Sequence, residues 1–215
     1  MKVDFSHTTL IIIDVQNDFC PGGALGVEGG DQVIEPLNRL ASLFAAKSGR
    51  VIATQDWHPN DHASFASSHK GKKPGDTVDI EDVQSQILWP DHCIQSTAGA
   101  EFHAALDLKH INLIVRKGFR TNLDSYSAFF ENDRKTSTGL DGFLKNLSID
   151  TLVMGGIATD YCVLYSALDA AALGYKIIVA EDAIRAVNIP PGSAEKAAML
   201  LDEAGVIILE SGKIK

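Results

Sequence analysis

The sequence predicts an α/β fold, with a mainly parallel, doubly wound sheet of about six strands between helical layers in a three-layer αβα arrangement. Six short runs of aliphatic and β-branched residues are too short for helices and are typical of buried strands. Segments with helical periodicity separate several of these runs, and strands alternating with helices pair in parallel through right-handed crossovers. The predicted strands span residues 9–14, 50–56, 112–117, 151–155, 176–180 and 206–209.

Three segments carry the helical pattern. Residues 31–47 repeat apolar side chains at the i, i+3 and i+4 spacing of an amphipathic helix. Residues 161–173 are rich in alanine and leucine and stop at Gly174, a residue type that commonly follows the last turn of a helix. A last helix is expected to begin near Ser193, whose hydroxyl suits an N-cap, and to end before Gly205.

The length of 215 residues suits one α/β domain, which we expect to span residues 1–215. The formal net charge of −9 argues against a nucleic acid or an anionic membrane as partner, because both would repel it. Three cysteines that lie far apart predict no disulfide framework. No apolar run reaches the length of a secretory or membrane-spanning segment, so we expect a cytoplasmic protein. A homo-oligomer stays open.

Residues 57–110 interrupt the alternation of strands and helices. This irregular excursion holds most of the seven histidines and both tryptophans. A long irregular stretch in a compact domain is usually a functional loop or a disordered one, and the aromatic content disfavours disorder. Ligands of parallel sheets bind beyond the carboxyl ends of the strands, and three charged residues of this sequence close predicted strands at those ends. These residues are Asp14, Asp56 and Lys117.

Cys162 is the candidate nucleophile. It lies in the first turn of a predicted helix, where exposed N–H groups and the helix dipole favour a thiolate and could hold an oxyanion. A small buried cysteine that only packs the helix against the sheet is about equally probable from this context alone.

Asp14 and Lys117 shift that balance towards catalysis. Each closes an apolar strand, although a structural ion pair at the strand ends would explain either residue alone. Together with Cys162 they supply a base, a cation and a thiol. Asp14 would take the thiol proton and pass it to a leaving amine, and Lys117 would lower the pKa values of the carboxyl and the thiol.

A metal site is indicated by Asp56 and His58, which point to the same side of an extended segment, and by His92 in the excursion. One carboxylate and two imidazoles suit Zn²⁺, Mn²⁺ or Fe²⁺ with open positions for water and substrate. The bare pattern is weak, because Asp-x-His sequences are frequent and histidines on the surface outnumber ligands.

The motifs around these residues resemble those of the isochorismatase-like cysteine hydrolases, from about residue 10 to residue 209. Asp14 stands in Ile-Ile-Asp-Val-Gln-Asn-Asp-Phe, Lys117 in Arg-Lys-Gly and Cys162 in Gly-Ile-Ala-Thr-Asp-Tyr-Cys-Val. The resemblance implies a catalytic triad of those three residues. It also implies a cis peptide bond between Ile157 and Ala158, with the N–H groups of Ala158 and Cys162 as the oxyanion hole.

Two further motifs, Asp-Trp-His from residue 56 and Trp-Pro-Asp-His-Cys from residue 89, resemble the nicotinamidase branch of this family. The resemblance places the metal ligands on Asp56, His58 and His92, with either Ser64 or water completing the sphere. Zinc is the first expectation for the metal, with manganese or iron as alternatives. Nearby His62 is expected to face solvent or to support the ligands from behind. The ring of the substrate would lie between aromatic walls formed by Phe19, Trp89 and Tyr126.

The activity implied by the resemblance is hydrolysis of nicotinamide to nicotinate and ammonia in NAD salvage, through a cysteine acyl-enzyme. Pyrazinamide is a further candidate substrate. One alternative is another amidase of the same family, acting on N-carbamoyl or general amides, which would not need a metal that grips a ring. A second is an isochorismatase-type hydrolase, which would need neither the thiol nor the metal set. A third is a non-enzymatic nucleotide-binding module, but the turn at residues 155–158 lacks the glycine spacing of a dinucleotide site.

Overall fold

The computed structural model describes residues 1–215 and contains eight strands and four α-helices. The strands are β1 (Thr8–Ile13), β2 (Arg50–Asp56), β3 (Thr77–Ile80), β4 (Val83–Ile87), β5 (Leu113–Lys117), β6 (Thr151–Ile157), β7 (Lys176–Arg185) and β8 (Ile207–Leu209). The α-helices are α1 (Ile34–Ala46), α2 (Leu140–Asn146), α3 (Leu164–Ala172) and α4 (Ser193–Glu203). No helix combines the length and the apolar character that crossing a bilayer requires.

Six strands form the main sheet in the order β5-β2-β1-β6-β7-β8, and every neighbouring pair is parallel. The predicted α/β class and six-stranded parallel sheet are therefore confirmed. The chain starts at the centre with β1, builds outwards through β2 and β5, and then returns to the other side of β1 with β6. That reversal makes the carboxyl ends of β1 and β6 a topological switch point, where open α/β sheets bind ligands.

Both faces of the sheet are buried, which explains the uninterrupted apolar runs of its strands. Successive side chains of β1 enter opposite cores: Leu10 and Ile12 pack on one face, and Ile11 and Ile13 on the other. Helix α1 covers the first face, whereas α2, α3 and α4 contribute to the second core. The close packing of both helical layers makes the sheet rigid, so side chains at its carboxyl edge are held in fixed positions.

The helix boundaries depart from the sequence predictions at two places. Ser193 does not cap α4: Gly192, in the left-handed conformation, precedes the helix, and the Ser193 hydroxyl donates to Asp160 at 2.5 Å. Helix α3 begins only at Leu164, because a π-helical turn at Thr159–Val163 comes first. That turn carries Cys162.

Two elements escaped the sequence analysis. Helix α2 has only seven residues and includes a glycine, so its periodicity is too short to detect. The antiparallel hairpin of β3 and β4 lies within the irregular excursion and forms a separate two-stranded sheet. Most of its side chains are exposed or half-buried, so it lacks the apolar pattern of a core strand.

Candidate active site

The polar residues that close β1, β2 and β5 meet at the carboxyl edge of the sheet. Asp56 and Lys117 are register partners at the ends of β2 and β5. Asp14 directly follows β1, the strand between β2 and β6. Its hydrogen bond from the hydroxyl of Thr54, 2.6 Å long, fixes one carboxylate oxygen. The parallel arrangement thus brings three charged groups together from distant parts of the chain.

Lys117 is the centre of this cluster. Its Nζ lies 2.9 Å from a carboxylate oxygen of Asp14, donates to Asp56, and donates to the carbonyl of Ser125 at 2.9 Å. The Cys162 sulfur lies 3.6 Å from the same nitrogen. Both Lys117 and Asp14 are fully buried. A buried ammonium group is stable only when carboxylate or carbonyl oxygens accept its hydrogen bonds. These contacts therefore fix the position of the Lys117 side chain in the site.

The electrostatics of the cluster correct the expected thiolate. Burial raises the pKa of the Cys162 thiol well above its usual range, and the Asp14 and Asp56 carboxylates raise it further, while Lys117 opposes the shift. Burial also raises the pKa of Asp14, against the charge of Lys117. The pKa of Lys117 lies well above normal because its two carboxylates outweigh the effect of burial. These surroundings favour the neutral thiol over the thiolate, so the mechanism needs a base that removes the proton during attack.

Cys162 reaches the cluster from the turn after β6. The peptide bond between Ile157 and Ala158 is cis, at the position that the sequence motif indicated. Asp160 lies in the same turn and connects it to the segment after β7. Its carboxylate accepts hydrogen bonds from the N–H groups of Val187 and Asn188 at 3.0 and 2.9 Å. Asp160 therefore orients the backbone of this region.

A cleft lined by twelve residues, Cys162 among them, lies at this edge of the sheet. Its wall includes Cys162, Ala158, Asp56 and His92 together with aromatic and aliphatic residues. A carboxylate oxygen of Asp56 lies within 4.8 Å of the Cys162 sulfur. The remaining lining residues are Phe19, Leu25, Val27, Trp89, Asp124, Tyr126, Tyr161 and Val187. An apolar cleft with a few polar groups and perturbed titratable residues has the character of a small-molecule site.

Asp56, His58 and His92 fit a divalent metal ion. One ligand atom of each lies within 4.8 Å of the others, and all three residues are buried. The Nδ1 atom of His58 donates to the Gly118 carbonyl and that of His92 to the Pro90 carbonyl, each at 2.7 Å. Because a carbonyl can only accept, both rings keep the Nε2 lone pair free for a metal.

The charges agree with this fit. Burial would raise the pKa of Asp56, but Lys117, His58 and His92 outweigh it and keep the carboxylate ionised. Burial and the neighbouring His58 lower the pKa of His92 to about 4, so its imidazole is neutral and able to bind a cation. Burial would lower the pKa of His58, but the nearby Asp56 carboxylate raises it. The surroundings of His58 thus stabilise a positive charge, and a divalent cation would supply one.

The isochorismatase domain model matches residues 8–211. The chain belongs to the isochorismatase family. It is 48% identical over 209 residues to a nicotinamidase of Acinetobacter baylyi, a match that covers 97% of this chain and 95% of the relative. Among solved structures, it resembles a nicotinamidase/pyrazinamidase of Acinetobacter baumanii, with a TM-score of 0.92, 47% identity, and coverage of 96% and 97% of the two chains. It also resembles a pyrazinamidase of Pyrococcus horikoshii in complex with zinc, with a TM-score of 0.77, 31% identity, and coverage of 95% and 99%.

The residues singled out from the family resemblance fall in one region. Phe19, Trp89 and Tyr126 all line the cleft, and the Trp89 ring donates its N–H to the Tyr126 hydroxyl at 3.1 Å. Ser64 is buried, but its hydroxyl lies 2.7 Å from Nδ1 of His62. His62 does not face solvent: it is fully buried, with its ring centroid 4.3 Å from that of His58. Its ring packs against the ring of His58.

Two residues of this isochorismatase-family site escaped the sequence analysis. Thr54 holds Asp14 from within β2, and a polar side chain near the end of an apolar strand could have indicated it. Asp124 lines the cleft and lies with His58 and His62 in a second group of possible metal ligands. It stands in a loop without periodicity, so no local pattern marks it.

Gly118 makes the position of His58 possible, and this leads to a testable prediction. Its φ is +62°, and a Cβ atom there would lie 2.4 Å from Cε1 of His58. We expect Gly118→Ala to displace the ring and lower the affinity for Zn²⁺ by at least about tenfold, as loss of support for a ligand does. Titration against a competing chelator measures this.

Gly71→Ala is the matched control. Gly71 also has a positive φ, +79°, but nothing lies within 4 Å of an added Cβ. Both variants carry the left-handed backbone cost of roughly 1–2 kcal/mol, and only Gly118→Ala adds the contact with the His58 ring. An equal loss of metal affinity in both would mean that backbone strain, and not the contact with His58, is responsible.

Proposed function

We propose that this chain is a nicotinamidase, which hydrolyses nicotinamide to nicotinate and ammonia and so serves NAD salvage. The observation that carries the proposal is a single cleft that is lined both by the thiol of Cys162 and by Asp56 and His92. The thiol is the group that can form an acyl-enzyme with a carboxamide, and the metal-binding set is the group that can hold a ring nitrogen. The likeness to the nicotinamidase of Acinetobacter baylyi supports the same substrate.

Asp14 starts the reaction by accepting the thiol proton as the sulfur of Cys162 attacks the carboxamide carbon. The raised pKa of Asp14 suits this work, since a base with too low a pKa would not take the proton. Lys117, 2.9 Å from Asp14 and 3.6 Å from the sulfur, stabilises the negative charge that develops on the thiolate. A tetrahedral intermediate forms, with its oxygen towards the N–H groups of Ala158 and Cys162.

The intermediate then collapses, and the carbon–nitrogen bond breaks. Asp14 gives its proton to the departing nitrogen, which leaves as ammonia, and a thioester of Cys162 remains. A water molecule attacks the thioester while Asp14 accepts one of its protons. The carbon–sulfur bond breaks, nicotinate is released, and Asp14 returns the proton to the sulfur. Asp14 thus accepts a proton twice and donates it twice. The second proton of the water leaves the product carboxyl group, and ammonia takes it up as ammonium at neutral pH.

Asp56, His58 and His92 would hold the divalent metal ion. When bound, the ion supplies a Lewis acid able to accept the pyridine nitrogen as a ligand. Zinc is our proposal for its identity, supported by the Pyrococcus horikoshii pyrazinamidase in complex with zinc. Phe19, Trp89 and Tyr126 line the cleft and would pack against the ring of the substrate. Pyrazinamide, whose ring keeps a nitrogen in the same place, is a second substrate on this reasoning.

The test of the proposal is ammonia release from a panel of amides, with metal analysis of the same sample. We expect nicotinamide and pyrazinamide to be hydrolysed, and N-carbamoyl amino acids and aliphatic amides to be poor substrates. Preferential hydrolysis of an N-carbamoyl compound would instead assign the chain to another amidase of the isochorismatase family.

Asp14→Asn is expected to lower kcat by about 10²–10⁴-fold, the contribution of a general acid–base group. Asparagine can still accept the Thr54 hydrogen bond, and it tolerates the positive φ of this position, +49°, so the fold should persist. Asp150→Asn, an exposed carboxylate beside the amino end of β6, is the control for loss of one charge. Steady-state ammonia release measures both, and near-normal kcat in Asp14→Asn would remove Asp14 from proton transfer.

A further inference from the structure

Asp124 is a buried carboxylate to which the reaction above assigns no task. It is 7% exposed and lines the cleft beside the metal-binding residues. Its carboxylate accepts the N–H of Ser125 at 2.8 Å and the side-chain amide of Gln86 at 3.0 Å. No lysine, arginine or histidine nitrogen lies within 4.0 Å of it, in contrast to the paired carboxylates of the same site.

A buried carboxylate without a cationic partner is rare, because loss of hydration strongly disfavours its charge. A carboxylate offers about four acceptor positions, and Asp124 uses two of them within the protein. A positively polarised hydrogen-bond donor within the cleft would fill the unused acceptor positions of the Asp124 carboxylate and balance its negative charge. A water bound to the proposed metal ion would be such a donor.

The distances place Asp124 beyond direct contact with the ion. Two ligand atoms of one ion, each about 2.0–2.2 Å from it, lie at most about 4.4 Å apart. Asp56, His58 and His92 lie within 4.8 Å of one another, whereas Asp124 forms such a group with His58 and His62 and does not lie within 4.8 Å of all three residues of the first set. Asp124 is therefore a neighbour of His58 that stands outside the set of three that can bind one ion directly.

We propose that Asp124 accepts a hydrogen bond from a metal-bound water and balances the charge of the metal ion. This assigns the fourth position to water and not to Ser64, whose hydroxyl lies 2.7 Å from the His62 ring nitrogen. Gln86 holds the carboxylate in this orientation, and Asn132 holds Gln86 by donating to its side-chain oxygen at 2.9 Å. Asp124 is thus a positioning residue for the metal centre. The inference rests on the metal site of the proposed function.

The test is the affinity of the purified protein for Zn²⁺, measured against a chromophoric chelator. Asp124→Asn should weaken binding by roughly 10–100-fold, the effect of removing a partner of a metal ligand. Asp124→Glu keeps the charge and should bind more tightly than the asparagine variant. Asp91→Asn is the matched control: this exposed carboxylate is next to His92 in the chain but bonds to the Ser67 hydroxyl, and its loss should leave the affinity unchanged.

Visible absorption of the Co²⁺-loaded proteins provides a second readout. Asp124→Asn should keep the band intensity of the wild type, since no protein ligand is lost. A change to the spectrum of a site with fewer protein ligands would overturn the proposal by making Asp124 a direct ligand. Equal Zn²⁺ affinity of wild type, Asp124→Asn and Asp124→Glu would remove Asp124 from the centre. Failure of the wild type to bind Zn²⁺ at all would count against the metal site itself.

Discussion

Cys162→Ala is expected to lower turnover of nicotinamide by at least about 10⁴-fold, since removing the nucleophile of an acyl-transfer enzyme has effects of this size or larger. No other thiol or hydroxyl among the lining residues occupies the place of the sulfur beside Lys117. Alanine fills nearly the same buried space, so the fold should be retained. Ammonia release over long incubations measures the residual rate.

The other two cysteines provide control substitutions for the Cys162→Ala variant. Cys20 and Cys93 are also buried and free, but both belong to the apolar core on the α1 side of the sheet. Burial raises the pKa of Cys20 to about 11, which leaves its thiol unreactive at neutral pH. Cys20→Ala and Cys93→Ala should therefore keep most of the activity. Acid-quenched enzyme should carry the nicotinoyl group on Cys162, and an adduct on another residue would disprove the assignment.

Benzamide is expected to be hydrolysed at least roughly 100-fold more slowly than nicotinamide, because it has the same shape but lacks the ring nitrogen. Without that nitrogen the ring has no anchor at Asp56, His58 and His92, and the carboxamide is less often placed over Cys162. The aromatic contacts with Phe19 and Trp89 are available to both compounds, so they cannot account for the difference. The measurement is kcat/KM for the two amides with the metal-loaded enzyme.

Removal of the metal tests the ring anchor in a second way, through the same two amides. Chelation should lower nicotinamide hydrolysis strongly and change the slow benzamide rate much less, and added Zn²⁺ should restore the first rate. An unfolding curve of the chelated protein shows whether the fold persists. If the loaded enzyme hydrolysed both amides at comparable rates, the ring anchor would be wrong and the chain would be a general amidase.

The sequence alone predicted the parallel sheet and most of the groups at its carboxyl edge. Buried parallel strands are read as apolar runs, and the residue after each run must lie at the same edge as its neighbours. Asp14, Asp56 and Lys117 could therefore be grouped before their distances were known. The motifs around Cys162 and His92 added the rest through family resemblance. These features depend on local residue patterns and on the order of the strands along the chain, and both are visible in the sequence.

Only the tertiary structure decided how these groups act on one another. It showed that Lys117 is shared between Asp14 and Asp56, and that burial reverses the expected fall in the pKa of the Cys162 thiol. Desolvation depends on everything packed around a group, and neither spacing nor residue type reports it.

The same holds for the supports of the metal site. The tautomer of His58 depends on the carbonyl of Gly118, 60 positions further along the chain, and Asp124 enters the cleft from a loop without periodicity. Such contacts arise where separate segments pack together, so their partners are set by the fold as a whole. Local sequence patterns specify which strand a residue ends, but packing specifies what surrounds it, and the chemistry of the site depends on those surroundings.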